Sequence, residues 1–290
     1  MSKRRRQQRW RKIKKHQITE AELRLQSNER WCMNACSRYL TRNPAKDTVW
    51  TLLDESGAIS ALIVYVKQNL LPVLCGQEHI PPPHFLRGFF GAVPVHALQG
   101  RMEDVGIMEA AMKKIGFYAV EKIDYDLMCI DEPPSGFSAS GPAGLVIRKP
   151  QFSDMDSLVS LQAAYEQEEV LPARSTFNPA VSRLNTEKLF TKEQMLVAEL
   201  GGQLIGKINT NAVTFTRYQV GGVYVHPDYR GLGIARRMAG EFIAGLTTQS
   251  RELGTARGIS LFVKKSNPCA RRVYQRIGFS ITGDYRISYY

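Results

Sequence analysis

The run Val223-Tyr224-Val225-His226-Pro227-Asp228-Tyr229-Arg230-Gly231-Leu232-Gly233-Ile234-Ala235-Arg236 decides how this 290-residue sequence is read. Apolar residues over 219–225 predict a buried strand that ends at His226-Pro227. A glycine-rich turn follows, and a helix opens at about Leu232. Ala235, Met238, Ala239, Phe242, Ile243 and Leu246 recur at helical spacing, so one face of that helix belongs to a core. Its N-terminus then presents unpaired amides beside glycines that let a ligand approach the main chain. The helix dipole favours an anion there by about 0.3–1 kcal/mol per charge. The arrangement predicts an anion site.

Two phosphate loops do not fit. A Walker loop needs Gly-Lys followed by Ser or Thr, which Gly231 lacks, and a dinucleotide fingerprint started at Gly231 puts Arg236 where a third small residue belongs. Downstream lies a second block. Residues 259–263 read as another buried strand, and Asn267 stands as an N-cap with Pro268 at the first helical position. Ala270, Val273, Tyr274 and Ile277 form a helix face, and Gly278 stops the helix.

Arg-x-x-Gly-x-Ala at 230–235, after a Val-x-Val strand and Pro227, resembles the acyl-CoA pyrophosphate loop of the GNAT (Gcn-five-related N-acetyltransferase) superfamily. Asn-x-x-Ala-x-x-x-Tyr-x-x-x-Gly-Phe at 267–279 resembles the second coenzyme-contacting element of the same superfamily. The resemblance covers about 144–290 and implies roles for individual residues. Val223, Tyr224 and Val225 would offer strand backbone to the pantetheine arm. Gly231, Leu232, Gly233, Ile234, Ala235 and Arg236 would bind the pyrophosphate, with Arg230 shaping the turn. Asn267 would touch the pantetheine side, and Arg271 or Arg272 would reach the 3′-phosphate. Tyr274 would protonate the departing CoA thiolate, the alternative being a core tyrosine.

The general base is less marked. No Asp or Glu lies on 219–225, where some relatives carry one. A helix predicted over 153–169, capped by Ser153 and with Leu158, Leu161, Ala164 and Tyr165 on its buried face, ends in Glu166, Glu168 and Glu169. In a fold of this kind that end would border the acceptor cleft, so Glu168 is the candidate base. Glu168, Glu169, Asn209 and Asn211 are the candidate acceptor contacts. The alternative is a solvated acidic helix end. Between these elements, 195–200 and 204–209 read as a hairpin about Gly201-Gly202.

Outward from the second half, the chain looks duplicated. Residues 132–143 are rich in Pro, Ser and Gly and read as a linker between 20–131 and 144–290. Met112-Lys113-Lys114-Ile115-Gly116-Phe117 in the first half parallels Tyr274-Gln275-Arg276-Ile277-Gly278-Phe279 in the second. The turns Asp54-Glu55-Ser56-Gly57 and Glu199-Leu200-Gly201-Gly202 pair likewise. The expected fold is α/β (α+β), with two tandem GNAT-like domains, each a mixed, mostly antiparallel sheet flanked by helices. Where the first copy should carry its loop stands Arg87-Gly88-Phe89-Phe90-Gly91-Ala92-Val93-Pro94, with the wrong spacing and a proline where a helix should propagate. The first copy is therefore read as degenerate, without coenzyme, covering the sheet of the active half and walling the acceptor pocket.

Composition sets the remaining bounds. At 43% hydrophobic and 23% charged the chain is an ordinary globular sequence, which excludes wholesale disorder, collagen repeats and a small disulfide scaffold. Of the net charge of +12, nine charges fall in residues 1–19, so the remaining 271 residues carry only +3. Residues 1–19 read as a basic tail, either a disordered arm or a weak nucleic-acid contact through 3–15. No spanning or secretory segment is expected. Five cysteines, an odd number, fit reduced thiols in a cytoplasmic protein. Cys32 and Cys36 lie one helical turn apart with no second pair to complete a zinc set, so no metal is expected. The implied activity is direct N-acetyl transfer from acetyl-CoA to a primary amine of a small molecule, amino acid or peptide. The alternatives are a non-enzymatic acyl-CoA-binding regulator and an RNA- or ribosome-associated protein anchored by its tail.

Overall fold

Trp10 is the first side chain that packing fixes: a computed structural model, which describes residues 9–76, 79–132, 140–173, 175–255 and 258–290, buries it against Phe85 at 6.0 Å between ring centroids. The next residues, β1 (Arg11–Lys12), pair antiparallel with β2 (Thr48–Leu53) in the register Arg11↔Thr51 and Lys12↔Trp50. Residues 9–19 are thus ordered, where the sequence alone suggests a detached arm; residues 1–8 lie outside the described residues. A two-residue strand has no periodicity to read, and the burial of one tryptophan is what holds it.

Helices α1 (Ile18–Ser27) and α2 (Glu29–Leu40) follow, the latter kinked at Cys32. Strand β2 continues into β3 (Ile59–Val66) and β4 (Asn69–Val73) as an antiparallel meander. Helix α3 (Pro83–Ala92) then crosses to β5 (Ala97–Arg101), which runs parallel to β4 with Asn69↔Ala97 and Leu70↔Leu98. Helix α4 (Met102–Lys113) and β6 (Glu121–Ile130) complete the first half. The reading of Arg87–Pro94 as a misplaced loop is corrected here. Residues 87–92 are helix, Pro83 opens that helix at a position where proline costs nothing, and Pro94 stands beyond its end at Val93. The strand-to-helix turn is instead the stretch after β4, where Cys75 has a φ of 59°.

In the second half β7 (Val146–Arg148) pairs with β8 (Met195–Leu200). Helix α5 (Met155–Tyr165) is entered through a 3₁₀ turn, Phe152–Asp154. The cap is Gln151 rather than the expected Ser153: the Gln151 N–H donates to Asp154 Oδ2 at 2.6 Å, and Arg148 clamps the same carboxylate at 2.7 and 2.9 Å. A π turn, Glu166–Val170, prolongs α5 and closes with Leu171 N–H donating to Glu166 O at 2.8 Å. Helix α6 (Pro179–Lys192), capped by the Asn178 side chain, has no sequence expectation behind it; its fully buried residues are Ser182 and Thr186, so no apolar stripe betrays it.

Strand β9 (Gln203–Val213) returns from β8 about Gly201 and Gly202, whose φ values of 58° and 78° give the hairpin turn its left-handed residues. Then come β10 (Arg217–Val225), α7 (Ile234–Glu252), β11 (Gly258–Lys264), parallel to β10, α8 (Pro268–Ile277) and β12 (Ser280–Tyr289). Met238, Phe242, Ile243 and Leu246 of α7 are buried against Ile208, Val220, Ile259 and Leu261, each burial stabilising by about 1.5–3 kcal/mol relative to exposure. Both halves therefore share one order: strand, crossover helix, parallel strand, helix, strand.

Two compact units result, Met1–Leu127 with Thr282–Tyr290, and Met128–Ile281. The division falls within β6, ahead of the 132–143 segment, of which 133–139 lie outside the described residues. Residues 282–290 belong with the first unit because β12 pairs antiparallel with β5, from Tyr285↔Arg101 to Tyr289↔Ala97. In the first unit the order is β1-β2-β3-β4-β5-β12, and in the second β11-β10-β9-β8-β7.

Among the described residues the buried indole N–H of Trp10 has no partner, which offsets part of what its ring contributes. Trp10→Ala is expected to lower the stability of the first unit by about 3 kcal/mol, read as a lower urea midpoint. A change below about 0.5 kcal/mol, the size typical of surface substitutions, would mean that the segment is detached in solution.

Candidate functional site

The site starts at an irregularity in β10. Its ladder with β9 is in register at Val220↔Thr210 and Gly221↔Asn209, shifts between Gly221 and Tyr224, and resumes at Tyr224↔Lys207. Gly222 has a φ of 59°, which a residue with a side chain seldom adopts. Space matters as much as φ. A Cβ on Gly222 would stand 2.0 Å from Asn209 Oδ1, and one on Gly221 would stand 2.1 Å from Asn211 Nδ2. The parallel register with β11 runs from Arg217↔Gly258 to Gln219↔Ser260, and onward from there Val223, Tyr224 and Val225 line a cavity of about 800 Å³.

The loop that sequence reasoning singled out forms one end of this cavity. Arg230 Nε donates to Val225 O at 3.0 Å and ties the turn back to the strand. Gly231 and Gly233 have φ values of 82° and 79°, and Gly233 is the N-cap of α7. The first ladder bond of α7 joins Arg237 N–H to Gly233 O at 3.0 Å, so the amides of Ile234, Ala235 and Arg236 have no acceptor within the helix. Gly231, Gly233, Ile234, Ala235 and Arg236 all line the cavity, whereas Leu232 is half exposed beside it. A cavity of this size, lined by a helix N-terminus, arginines and strand residues, fits an extended phosphorylated ligand such as acyl-CoA.

Helix α8 also lines the cavity. Asn267 is a cap and more: its Oδ1 accepts from Ala270 N–H at 3.0 Å, and its Nδ2 donates to Glu169 Oε1 at 3.1 Å. Tyr274 is buried yet lines the cavity. Burial, with Tyr165 and Glu169 nearby, pushes its hydroxyl well above the usual phenol range, so it stays protonated at neutral pH. Neither Arg271 nor Arg272 lines the cavity; Cys269, Val273 and Arg276 do. Arg276 was missed, although its helical spacing of three from Val273 and seven from Cys269 carries the signal.

The π turn supplies the acidic residues. Glu168 pairs with Arg230 at 2.7 Å with both side chains about two-fifths exposed, and Glu169 lies deeper, with Lys264 Nζ at 3.7 Å. Both line the cavity. Glu166 accepts from Gln162 Nε2 at 2.9 Å and Asn185 Nδ2 at 3.1 Å. Asn209 is fully buried, donating to Thr210 O and Asn211 Oδ1, and Asn211 is exposed; neither lines the cavity.

Sequence reasoning missed Lys207. Its side chain is fully buried, its Nζ donates to Asn209 Oδ1 at 3.0 Å and Gly222 O at 2.9 Å, and it lies 4.8 Å from the Tyr165 ring centroid. Burial pulls its amine down to about 7, against the opposing pull of Glu166. Alternation along β9 puts 207, 209 and 211 on one face, but a lysine there reads as solvated until a helix covers it. Among the described residues, no group of three or more His, Cys, Asp or Glu is placed to hold a metal ion, and no helix is long and apolar enough to cross a membrane.

Residues 158–279 match the model of the acetyltransferase (GNAT) family. A search of curated proteins returns no match. Among solved structures, a GCN5-related N-acetyltransferase from Sphaerobacter thermophilus is 18% identical, with a TM-score of 0.60 over 97% of this chain and 94% of its own. A tandem GNAT protein from the clavulanic acid biosynthesis pathway is 13% identical, with a TM-score of 0.57 over 97% and 98%. A GNAT-family structure from Novosphingobium aromaticivorans is 22% identical over 59% of this chain and 65% of its own, with a TM-score of 0.44. The fold is thus the tandem GNAT fold, and the chain carries at residues 158–279 a domain of the GNAT acetyltransferase family.

Proposed function

We propose that the second unit binds acetyl-CoA in this cavity and transfers its acetyl group directly to a primary amine of a small molecule, amino acid or peptide. The observation that carries the reading is a coincidence of position. The N-terminal residues of α7, Val223–Val225 of β10 and the buried Tyr274 all line one cavity. The family assignment supports acetyl transfer in general terms, and the acceptor class is inferred from the acidic wall.

An acceptor that arrives as an ammonium first gives one proton to solvent; the neutral amine nitrogen then attacks the thioester carbonyl, and the π electrons of that carbonyl move to its oxygen. The Val223 N–H, in the stretch where β10 departs from its ladder with β9, is the donor that meets the developing charge. As the C–N bond completes, the ammonium proton leaves. Glu169 is better placed to take it than Glu168, because Glu169 is near Tyr274 and Tyr165 while Glu168 is more exposed and paired with Arg230. The oxyanion then re-forms the C=O as the C–S bond breaks, the electron pair of that bond goes to sulfur, and the Tyr274 hydroxyl gives the thiolate its proton. The products are an N-acetyl amine and CoA thiol, and Tyr274 recovers its proton through Glu169 or solvent. Glu168 and Glu169 also give the acceptor its electrostatic preference: a cationic amine is drawn to this wall.

Calorimetry tests coenzyme binding. Wild type is expected to bind acetyl-CoA and Gly233→Arg to lose binding, with a melting temperature lower by about 2–4 °C for the strained cap. Failure of wild type to bind would overturn the reading. With the best acceptor from an amine library, Tyr274→Phe is expected to lower kcat about 100-fold with an unchanged acetyl-CoA Kd, since the ring stays and only the proton donor goes. A rate close to wild type would remove Tyr274 from the chemistry. Glu169→Gln is expected to slow turnover near neutral pH more than Glu168→Gln does; the reverse order would return the base to Glu168.

A further inference from the structure

Lys207 has no part in the reaction as described, yet it is among the largest fully buried side chains of the protein. Its position accounts for it. The Nζ donates to Gly222 O at 2.9 Å and to Asn209 Oδ1 at 3.0 Å, and the Tyr165 ring lies 4.8 Å away. Two carbonyl-type acceptors and a π face match the three donors of an ammonium, whereas a neutral amine would turn its lone pair towards the ring. Gly222 is the residue before Val223. In a planar trans peptide, the C=O of one residue and the N–H of the next point in opposite directions. Lys207 holds the Gly222 carbonyl, so the Val223 N–H of the same peptide points away from Nζ, and Val223 lines the cavity.

We propose that Lys207 is a positioning residue for acetyl transfer: its ammonium holds the Gly222 carbonyl, and thereby aims and polarises the Val223 N–H as the donor to the thioester oxygen. The inference rests on the acetyl-transfer reading for its catalytic meaning, but the peptide geometry stands without it. A positive charge on the oxygen end of an amide draws electron density from nitrogen and strengthens the N–H as a donor. The glycines at 221 and 222 are a condition of this arrangement, since a Cβ on Gly222 would lie 2.8 Å from Nζ.

Charge state then matters. The groups facing Nζ are Tyr165 of α5, Glu166 of the π turn, Asn209 of β9, and Gly222 and Tyr224 of β10, while Val197 opposite on β8 is apolar. Glu166 is the carboxylate that favours the cation. With the amine lowered to about 7, the ammonium is the main form below that pH and is lost as pH rises through it. The donor strength of the Val223 N–H therefore falls as pH rises.

The test uses the full chain, ¹⁵N-labelled, with the Val223 amide resonance as the readout. In wild type this resonance is expected to titrate with a midpoint near 7. Glu166→Gln is expected to move the midpoint to lower pH, and Lys207→Met to abolish it while the rest of the spectrum stays native. In parallel, [1-¹³C]acetyl-CoA is bound and its carbonyl stretch followed. Lys207→Met is expected to lose the downshift and to lower kcat about tenfold without weakening coenzyme binding. A Val223 resonance that titrates in the same way in Lys207→Met as in wild type, or that does not respond to pH in wild type, overturns the inference. Should Lys207→Met fail to fold, the wild-type and Glu166→Gln titrations decide it. Should wild type not bind acetyl-CoA, the functional reading falls, and the amide titration still decides the peptide geometry.

Discussion

The break in the β10 ladder at Gly221–Gly222 is the constraint on which the site depends. A strand with every N–H and C=O paired to its neighbours has nothing to offer a ligand. Here the parallel register with β11 covers Arg217 to Gln219, and the antiparallel register with β9 shifts between Gly221 and Tyr224. Beyond that point the strand still has direction, set by Tyr224↔Lys207 and Val225↔Gly206, and it delivers the chain to Pro227 and the loop that caps α7. Strand edge and helix amides reach the same cavity because one continuous segment carries both.

The cavity lining carries both signs of charge. The α7 N-terminus, Arg236 and Arg276 suit phosphates. Glu168 and Glu169 suit an ammonium. The Arg230–Glu168 pair joins the two signs, but with both side chains about two-fifths exposed its contribution to stability is about 0–1 kcal/mol. Its value is geometric, because Arg230 is bonded to Val225 O at the same time and so ties the π turn to the strand.

Much of this was legible in the sequence because glycine, proline and asparagine act locally. Gly201-Gly202, Asn267-Pro268 and Gly278 stand where turn and cap chemistry put them, and the apolar stripe of α7 is buried as its spacing requires. What was not legible depends on tertiary partners. Helix α6 buries Ser182 and Thr186 instead of an apolar face, so periodicity is silent. Trp10 holds a strand too short to have a pattern. The entry to α5 is capped by Gln151 and Asp154, held by Arg148 from an adjacent strand, which outcompetes the local preference of Ser153. Arg276 lines the cavity where the sequence reading named Arg271 or Arg272, although its helical spacing from Cys269 and Val273 was there to be read. Lys207 is the extreme case, since nothing local distinguishes a lysine that a helix will cover.

Lys207 also has a thermodynamic consequence. An ordinary lysine titrates at 10.5, and this one is held near 7. Between those values the unfolded chain binds more protons at this position than the folded one, so its contribution to stability rises with pH across that window and is at its least below about 7. A buried methionine or leucine would avoid that cost. The first unit, whose β4, α3 and β5 repeat the strand–helix–strand order, meets its strand-to-helix turn with Cys75, Gly76 and the prolines at 81–83 in place of a glycine-capped helix, and α3 starts at Pro83, which has no N–H to offer. The residue that costs stability at neutral pH thus stands in the unit whose helix N-terminus can receive an anion. A charge kept in the core at such a cost, bonded to the carbonyl that precedes the Val223 amide, is explained by the effect we propose on that amide rather than by packing.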